Sequence, residues 1–197
     1  EGKPLGKAGD RAVNAFLVPA IAQHRPDDAL LSEESEDDHA RLAKDRVWIV
    51  DPVDGTREYG EERADWAIHI GLAVDGVATV GAVALPGLET ILTSDATARE
   101  DHAASGKMVV SRSRPPAEAE RVAQVLDMEL VGMGSAGAKA MAVVRGEADA
   151  YLHSGGQYEW DNCAPVAVAQ AHGLHCSRID GSPLRYNRPD VSLPDLL

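Results

Sequence analysis

Aromatic residues are scarce in this chain of 197 residues, at 4 % with a single phenylalanine. A core built almost without them must be filled closely by Ala, Val and Leu. Cysteine is nearly absent as well, with only Cys163 and Cys176. Two cysteines make no disulfide framework, and their spacing is not a zinc pattern, so both are expected as free thiols in a reducing compartment. No run of about 18 apolar residues occurs, so no membrane-spanning helix is expected. No signal peptide is visible, although the chain starts at Glu1 rather than at a methionine; the expected location is cytoplasmic. Basic residues are outnumbered, 19 Lys and Arg against 32 Asp and Glu, for a net charge of -13. A field of that sign argues against nucleic acid and anionic membranes as partners. An anionic substrate would need bound divalent cations, which invert the local sign of a site.

What is present is an alternation of helix and strand signals. Ala12, Val13, Phe16, Leu17 and Ile21 recur at helical spacing and predict a helix over 8–24, with Asp10 near its start. Pro26 and its neighbours break it. Ala29 to Ser32 reads as a short strand leading into Glu33-Glu34, and Glu36-Asp37-Asp38 as a solvated acidic turn. Arg46 to Val50 is an apolar, β-branched run that predicts a buried strand ending at Asp51. Strands are expected over 66–74 and 77–85, joined at Asp75-Gly76, a strong hairpin signal, and again over 90–93. Residues 94–107 lack periodicity and suggest a boundary or loop. Beyond it, strands are expected over 108–111, 129–133 and 148–152, and helices over 117–126, from the glycine-rich turn 134–139 through Val144, and over 161–172. The expected division is therefore 1–107 and 108–197, in a mixed α+β layered architecture.

Asp51-Pro52-Val53-Asp54-Gly55-Thr56 puts two carboxylates three positions apart at a strand end. Magnesium takes hard oxygen ligands, and two Asp side chains with the Val53 carbonyl can converge on one ion. A turn is the bland alternative. Gly55 and Thr56 would open a helix whose N–H groups suit a phosphate. Asp161 reads as a helix N-cap with Pro165 in the first turns. His69, in a strand, reads as structural, and Tyr151 and Trp160 as packing; His153 and Gln157 are possible pocket residues.

Taken together these segments resemble the inositol monophosphatase superfamily. Trp48 to Thr56 is similar to its first signature, Glu159 to Pro165 to its second, and Leu31 to Ser35 to its Gly-Glu-Glu segment. The order and spacing agree over nearly the whole chain. Within the superfamily, Arg57-Glu58-Tyr59, Val110 to Arg114, and Gly134-Ser135 followed by Lys139 are most similar to the CysQ-type phosphatases of 3'-phosphoadenosine 5'-phosphate. There are departures: the family's long helix before Glu1 is not in this sequence, its Ser-Pro-Val-Thr is replaced by Gly2 to Asp10, and its usual residue after Ser113 is Arg114.

The resemblance implies an αβαβα sandwich and a phosphoric monoester hydrolase, lithium-sensitive and serving sulfur metabolism. It implies two or three Mg2+ ions, held by Glu33, Asp51, the Val53 carbonyl, Asp54 and Asp161. A metal-activated water would attack phosphorus in line, oriented by Thr56 hydrogen-bonded to Asp10, or by Glu33. Gly55, Thr56 and Asp161 would hold the reacting phosphate, and Ser113, Arg114, Ser135 and Lys139 the adenosine and 5'-phosphate. The products would be AMP and phosphate. The alternatives are an inositol monophosphatase or fructose-1,6-bisphosphatase of the same fold, or a non-catalytic metal-dependent sensor. A monomer or homodimer is expected.

Overall fold

The computed structural model describes residues 2–95 and 102–197. The first helix, α1 (Gly2–His24), begins six residues earlier than its apolar pattern predicts. Gly2, Pro4, Gly6 and Gly9 are poor helix formers, and tertiary packing accounts for two of them. A Cβ on Gly6 would lie 2.6 Å from Thr56 Cγ2, and one on Gly9 2.5 Å from Tyr59 Cε1. Those glycines let α1 press onto the short helix α2 (Thr56–Gly60).

Strands β1 (Ala29–Ser32), β2 (Arg46–Asp54), β3 (Ala67–Val74), β4 (Val77–Leu85) and β5 (Thr90–Thr93) form one sheet in that order. β1 runs parallel to β2, and the other pairings are antiparallel. The second sheet, parallel throughout, has the order β7-β6-β8, from β6 (Lys107–Ser111), β7 (Glu129–Met133) and β8 (Ala150–Tyr151). β8 is shorter than the strand expected over 148–152. Two strands without a sequence signal, β9 (His153–Tyr158) and β10 (Ser192–Leu196), pair antiparallel. Of the stretch expected as a boundary, residues 96–101 lie outside the described residues, and 102–106 carry no regular structure.

Helices α3 (Ala119–Leu126), α4 (Ala136–Val144) and α5 (Glu159–Ala171) complete the chain. α1 packs on β1 and β2, α5 lies across β2, β3 and β4, and α4 beside it reaches β6 and β8. α3 packs on β7. The layers follow the αβαβα order. The main core cluster includes Val47, Ile49, Val83, Met141, Cys163 and Val168, so both sheets share it through α4 and α5. Cys163 and Cys176 are both free. Among the described residues no helix is long and apolar enough to cross a membrane.

Two glycines set how closely α5 sits. Gly71 on β3 and Gly81 on β4 are register partners. A Cβ on Gly71 would lie 2.8 Å from the Ala164 nitrogen, and one on Gly81 would overlap the Ala164 carbonyl oxygen. The backbone of α5 therefore rests directly on the sheet, and Asp161, one turn earlier, is carried with it.

Candidate active site

β1 and β2 pair in parallel, Ser32 opposite Val50, so Glu33, just past β1, and Asp51 follow side by side; β2 does not end at Asp51 as expected but runs on to Asp54. In open α/β sheets ligands bind at the carboxyl ends of strands. The β2–β3 ladder then slips: Asp51 faces His69 and Asp54 faces Ala67, three steps on one strand against two on the other. A bulge of this kind re-aims side chains, and here it turns both Asp51 and Asp54 to the same spot. Gly55 follows with φ 87°, a left-handed conformation that glycine takes without steric cost.

Asp54 is nearly fully buried and well held. Its two oxygens accept from Ala136 N at 3.2 Å and Gly137 N at 2.6 Å, at the start of α4. His69 Nε2 stands 3.2 Å from Asp54 Oδ2, in contact but not in an aligned hydrogen bond. Asp161 comes from the first turn of α5. It is not the N-cap that its sequence setting suggests. The cap is Tyr158, whose N–H donates to Asp161 Oδ2 at 2.6 Å. One oxygen each from Asp51, Asp54 and Asp161 lie within 4.8 Å of one another. Asp10 on α1 is buried beside Thr56, whose hydroxyl acts on the Asp10 carboxyl and whose Oγ1 also donates to Val53 O at 3.1 Å.

The protonation states show the strain of this crowding. Desolvation, then Asp54 and Glu33, push Asp51 well above the usual carboxylate range. Burial and Asp54 raise Asp161 to about 7. Glu33 is exposed as a residue, yet its carboxyl leans toward Asp51, and desolvation and Asp10 raise it to about 7. Burial and Glu34 raise Asp10 to about 6, with the Thr56 hydroxyl acting in the other direction. Asp54 is the exception: burial acts to raise it, but His69, the Gly137 N–H and Lys139 hold it below its ordinary value. Asp51 Oδ1 and Asp10 Oδ1 are buried without a hydrogen-bond partner. An oxygen-only donor set with orphaned, desolvated carboxylate oxygens fits a hard divalent cation.

A stability test follows. Asp10, Glu33 and Asp161 hold protons in the folded chain that the unfolded chain releases near pH 4, so stability falls as pH rises from about 4 to 7. A bound cation takes the place of those protons. The gain in Tm on adding Mg2+ should therefore be small near pH 5 and reach roughly 5 °C or more near pH 7.5, read by calorimetry. A gain independent of pH would remove the carboxylates from the cation's binding.

A cleft of about 270 Å³ opens beside the carboxylates. Asp54, Gly55, Thr56 and Asp161 line it together with Ser113, Arg114, Ser135 and Lys139. Lys139 is not the solvated residue its helix position allows. It is 2 % exposed, its Nζ donates to the Gly134 and Ser135 carbonyls at 2.6 and 2.7 Å, and burial lowers its pKa to about 8. Ser135 Oγ caps α4 by accepting from Ala138 N. His153, Gln157 and Tyr151 also line the cleft. The place of His153 and Gln157 depends on β9, whose Ser154-Gly155-Gly156 carries no strand signal, while Tyr151 ends β8. A larger apolar cavity, about 370 Å³, lies behind Tyr151, but the carboxylates do not face it.

The model of the inositol monophosphatase family matches residues 5–195. A relative from Mycobacterium bovis named 3'-phosphoadenosine 5'-phosphate phosphatase is 50 % identical over 204 residues, covering 98 % of this chain and 76 % of its own. The 3'(2'),5'-bisphosphate nucleotidase CysQ of Escherichia coli K12 is 29 % identical, covering 91 % of this chain and 78 % of its own. The crystal structure of CysQ from Bacteroides thetaiotaomicron, described as a bacterial member of the inositol monophosphatase family, superposes with a TM-score of 0.79. Its identity is 27 %, over 91 % of this chain and 80 % of that one.

Proposed function

This chain belongs to the inositol monophosphatase family, and from that premise we propose that it removes the 3'-phosphate of 3'-phosphoadenosine 5'-phosphate, giving AMP and inorganic phosphate, with Mg2+ as its cofactor. The chain is a phosphoric monoester hydrolase. The observation that carries the substrate reading is a single cleft lined both by Asp54 and Asp161, of the carboxylate cluster that fits divalent cations, and by Arg114, Ser113 and Lys139. A substrate with two phosphates suits that mixed lining. The mycobacterial relative named for this activity supports it.

In this reading the cations are held by Glu33, Asp51, the Val53 carbonyl, Asp54 and Asp161, two or three ions in all. When bound they neutralise the phosphate and make water a stronger nucleophile near neutral pH. The rest falls to the protein. Thr56 orients the attacking water beside the phosphate and Asp10, or Glu33, takes its proton, since a carboxylate poised near the working pH serves as a general base. Attack forms a new oxygen–phosphorus bond in line with the bond to O3', which breaks; the 3'-oxygen leaves as a hydroxyl, taking a proton from solvent water, and the base returns its proton to solvent. Gly55 and Thr56 border the reacting phosphate. Residues 1–107 supply the ligands apart from Asp161, and residues 108–197 most of the cleft lining. Lithium sensitivity, a cytoplasmic place in sulfur metabolism, and a monomer or homodimer belong to the same proposal.

Phosphate release with Mg2+ should favour 3'-phosphoadenosine 5'-phosphate over inositol 1-phosphate and fructose 1,6-bisphosphate by at least about tenfold in kcat/KM. Arg114→Ala should raise KM for the bisphosphate about tenfold, roughly 1.4 kcal/mol, and leave 3'-AMP, which lacks the 5'-phosphate, unaffected. A sugar-favouring or flat profile would overturn the substrate and leave the cation site standing.

A further inference from the structure

His69 lies outside the set of carboxylates, yet it touches two of the segments that supply them. It sits on β3 opposite Asp51 and is fully buried. Its Nδ1 is 2.9 Å from the carbonyl of Trp160, the residue before Asp161. Its Nε2 faces Asp54 Oδ2 at 3.2 Å. One nitrogen is hydrogen-bonded to the Trp160 carbonyl and the other packs against Asp54, so a single ring spans the two segments. Room for the ring exists because residue 137 is glycine: a Cβ there would overlap Nε2, and the Ala67 methyl closes the other side at 3.0 Å from the same point. Gly137 is also the residue whose N–H holds Asp54. The imidazole thus joins β2, the start of α4 and the first turn of α5.

We propose that His69 is a positioning residue for the cation site, tying Asp54 on the end of β2 to the turn of α5 that presents Asp161, so that the two carboxylates keep their spacing. The proposal rests on reading the carboxylates as a cation site. Carboxylates that ligate metals are oriented by partners beyond the ion, and losing such a partner typically costs 10–100-fold in metal affinity. An effect of charge alone would leave binding equal or make it tighter, because taking positive charge away from a cation site cannot weaken it. The sign of the change therefore separates positioning from charge.

The test is isothermal titration of Mg2+ into the full chain, with His69→Asn and His69→Gln beside the unsubstituted protein. The asparagine amide reaches where Nδ1 was and keeps the Trp160 tie, while the glutamine amide reaches toward Asp54. The Mg2+ dissociation constant should rise roughly 10–100-fold in His69→Asn and less in His69→Gln. At saturating Mg2+, the KM for the nucleotide should be unchanged in both. Equal or tighter Mg2+ binding by both folded variants overturns the proposal, as does loss of folding in both, which would make His69 a residue of the core alone. If the unsubstituted chain itself binds no Mg2+, the phosphatase reading falls first and this one with it.

Discussion

Asp54→Asn should lower turnover by at least about 10³, some 4 kcal/mol of barrier at roughly 1.4 kcal/mol per tenfold, while the protein stays folded. The substitution keeps the shape of the side chain and one of the two oxygens that accept from Ala136 N and Gly137 N. It removes a negative charge from a group in which Asp51 and Asp161 are already driven toward protonation by Asp54. That relief offsets the loss of the carboxylate facing His69, so no cavity forms and cooperative unfolding should persist. The measurement is phosphate release at saturating Mg2+ beside a thermal melt. Near-normal activity would sink the assignment of Asp54 as a cation ligand. A protein that fails to fold would show that the His69 pair outweighs the repulsion.

The largest effect on stability is expected from Gly81→Val. The nearest atoms are the Ala164 carbonyl oxygen, the Ala167 methyl and the Ala164 carbonyl carbon, so no flexible side chain can move aside. Overpacking of this kind costs about 3 kcal/mol or more, and for a chain of this size that lowers Tm by about 6–12 °C. α5 must lift from the sheet, and Asp161 lifts with it, so Mg2+ affinity should fall too. Val80, next along β4 and 44 % exposed, is the control. Val80→Ala should change stability by only about 0.5 kcal/mol. Equal melting temperatures for the two variants would show that α5 is not held by close contact at Gly81.

What the sequence made legible was local. Trp48 to Val50 is continuous β-branched and apolar sequence, and its strand appears where expected, with Asp51 following the apolar run. The Asp75-Gly76 hairpin likewise depends on neighbours alone. Features set by distant contacts were not legible. The start of α1 is rich in glycine, which argues against a helix until α2 is known to lie against Gly6 and Gly9. β9 contains Ser154-Gly155-Gly156 and is a strand because β10 pairs with it. The first turn of α5 was expected two residues late, because Asp161 has the chemistry of a cap although Tyr158 occupies that place. The carboxylates could be named from residue type and order. That Lys139 donates to two backbone carbonyls, or that His69 touches Asp54, could not, since the first depends on the side chain turning back to the start of its own helix and the second on the slip in the β2–β3 ladder.

The shortage of aromatic residues has an optical consequence. Emission from this protein comes mainly from Trp48, Trp66 and Trp160. Trp48 is tied through Nε1 to Asp28 at 2.9 Å, and Trp66 meets the edge of Tyr59 at 4.7 Å. Trp160 stacks on Tyr158 with ring centroids 5.0 Å apart, and its own carbonyl is the one that His69 holds. An indole one residue from Asp161 in sequence is thus an intrinsic fluorophore on the turn that presents that carboxylate.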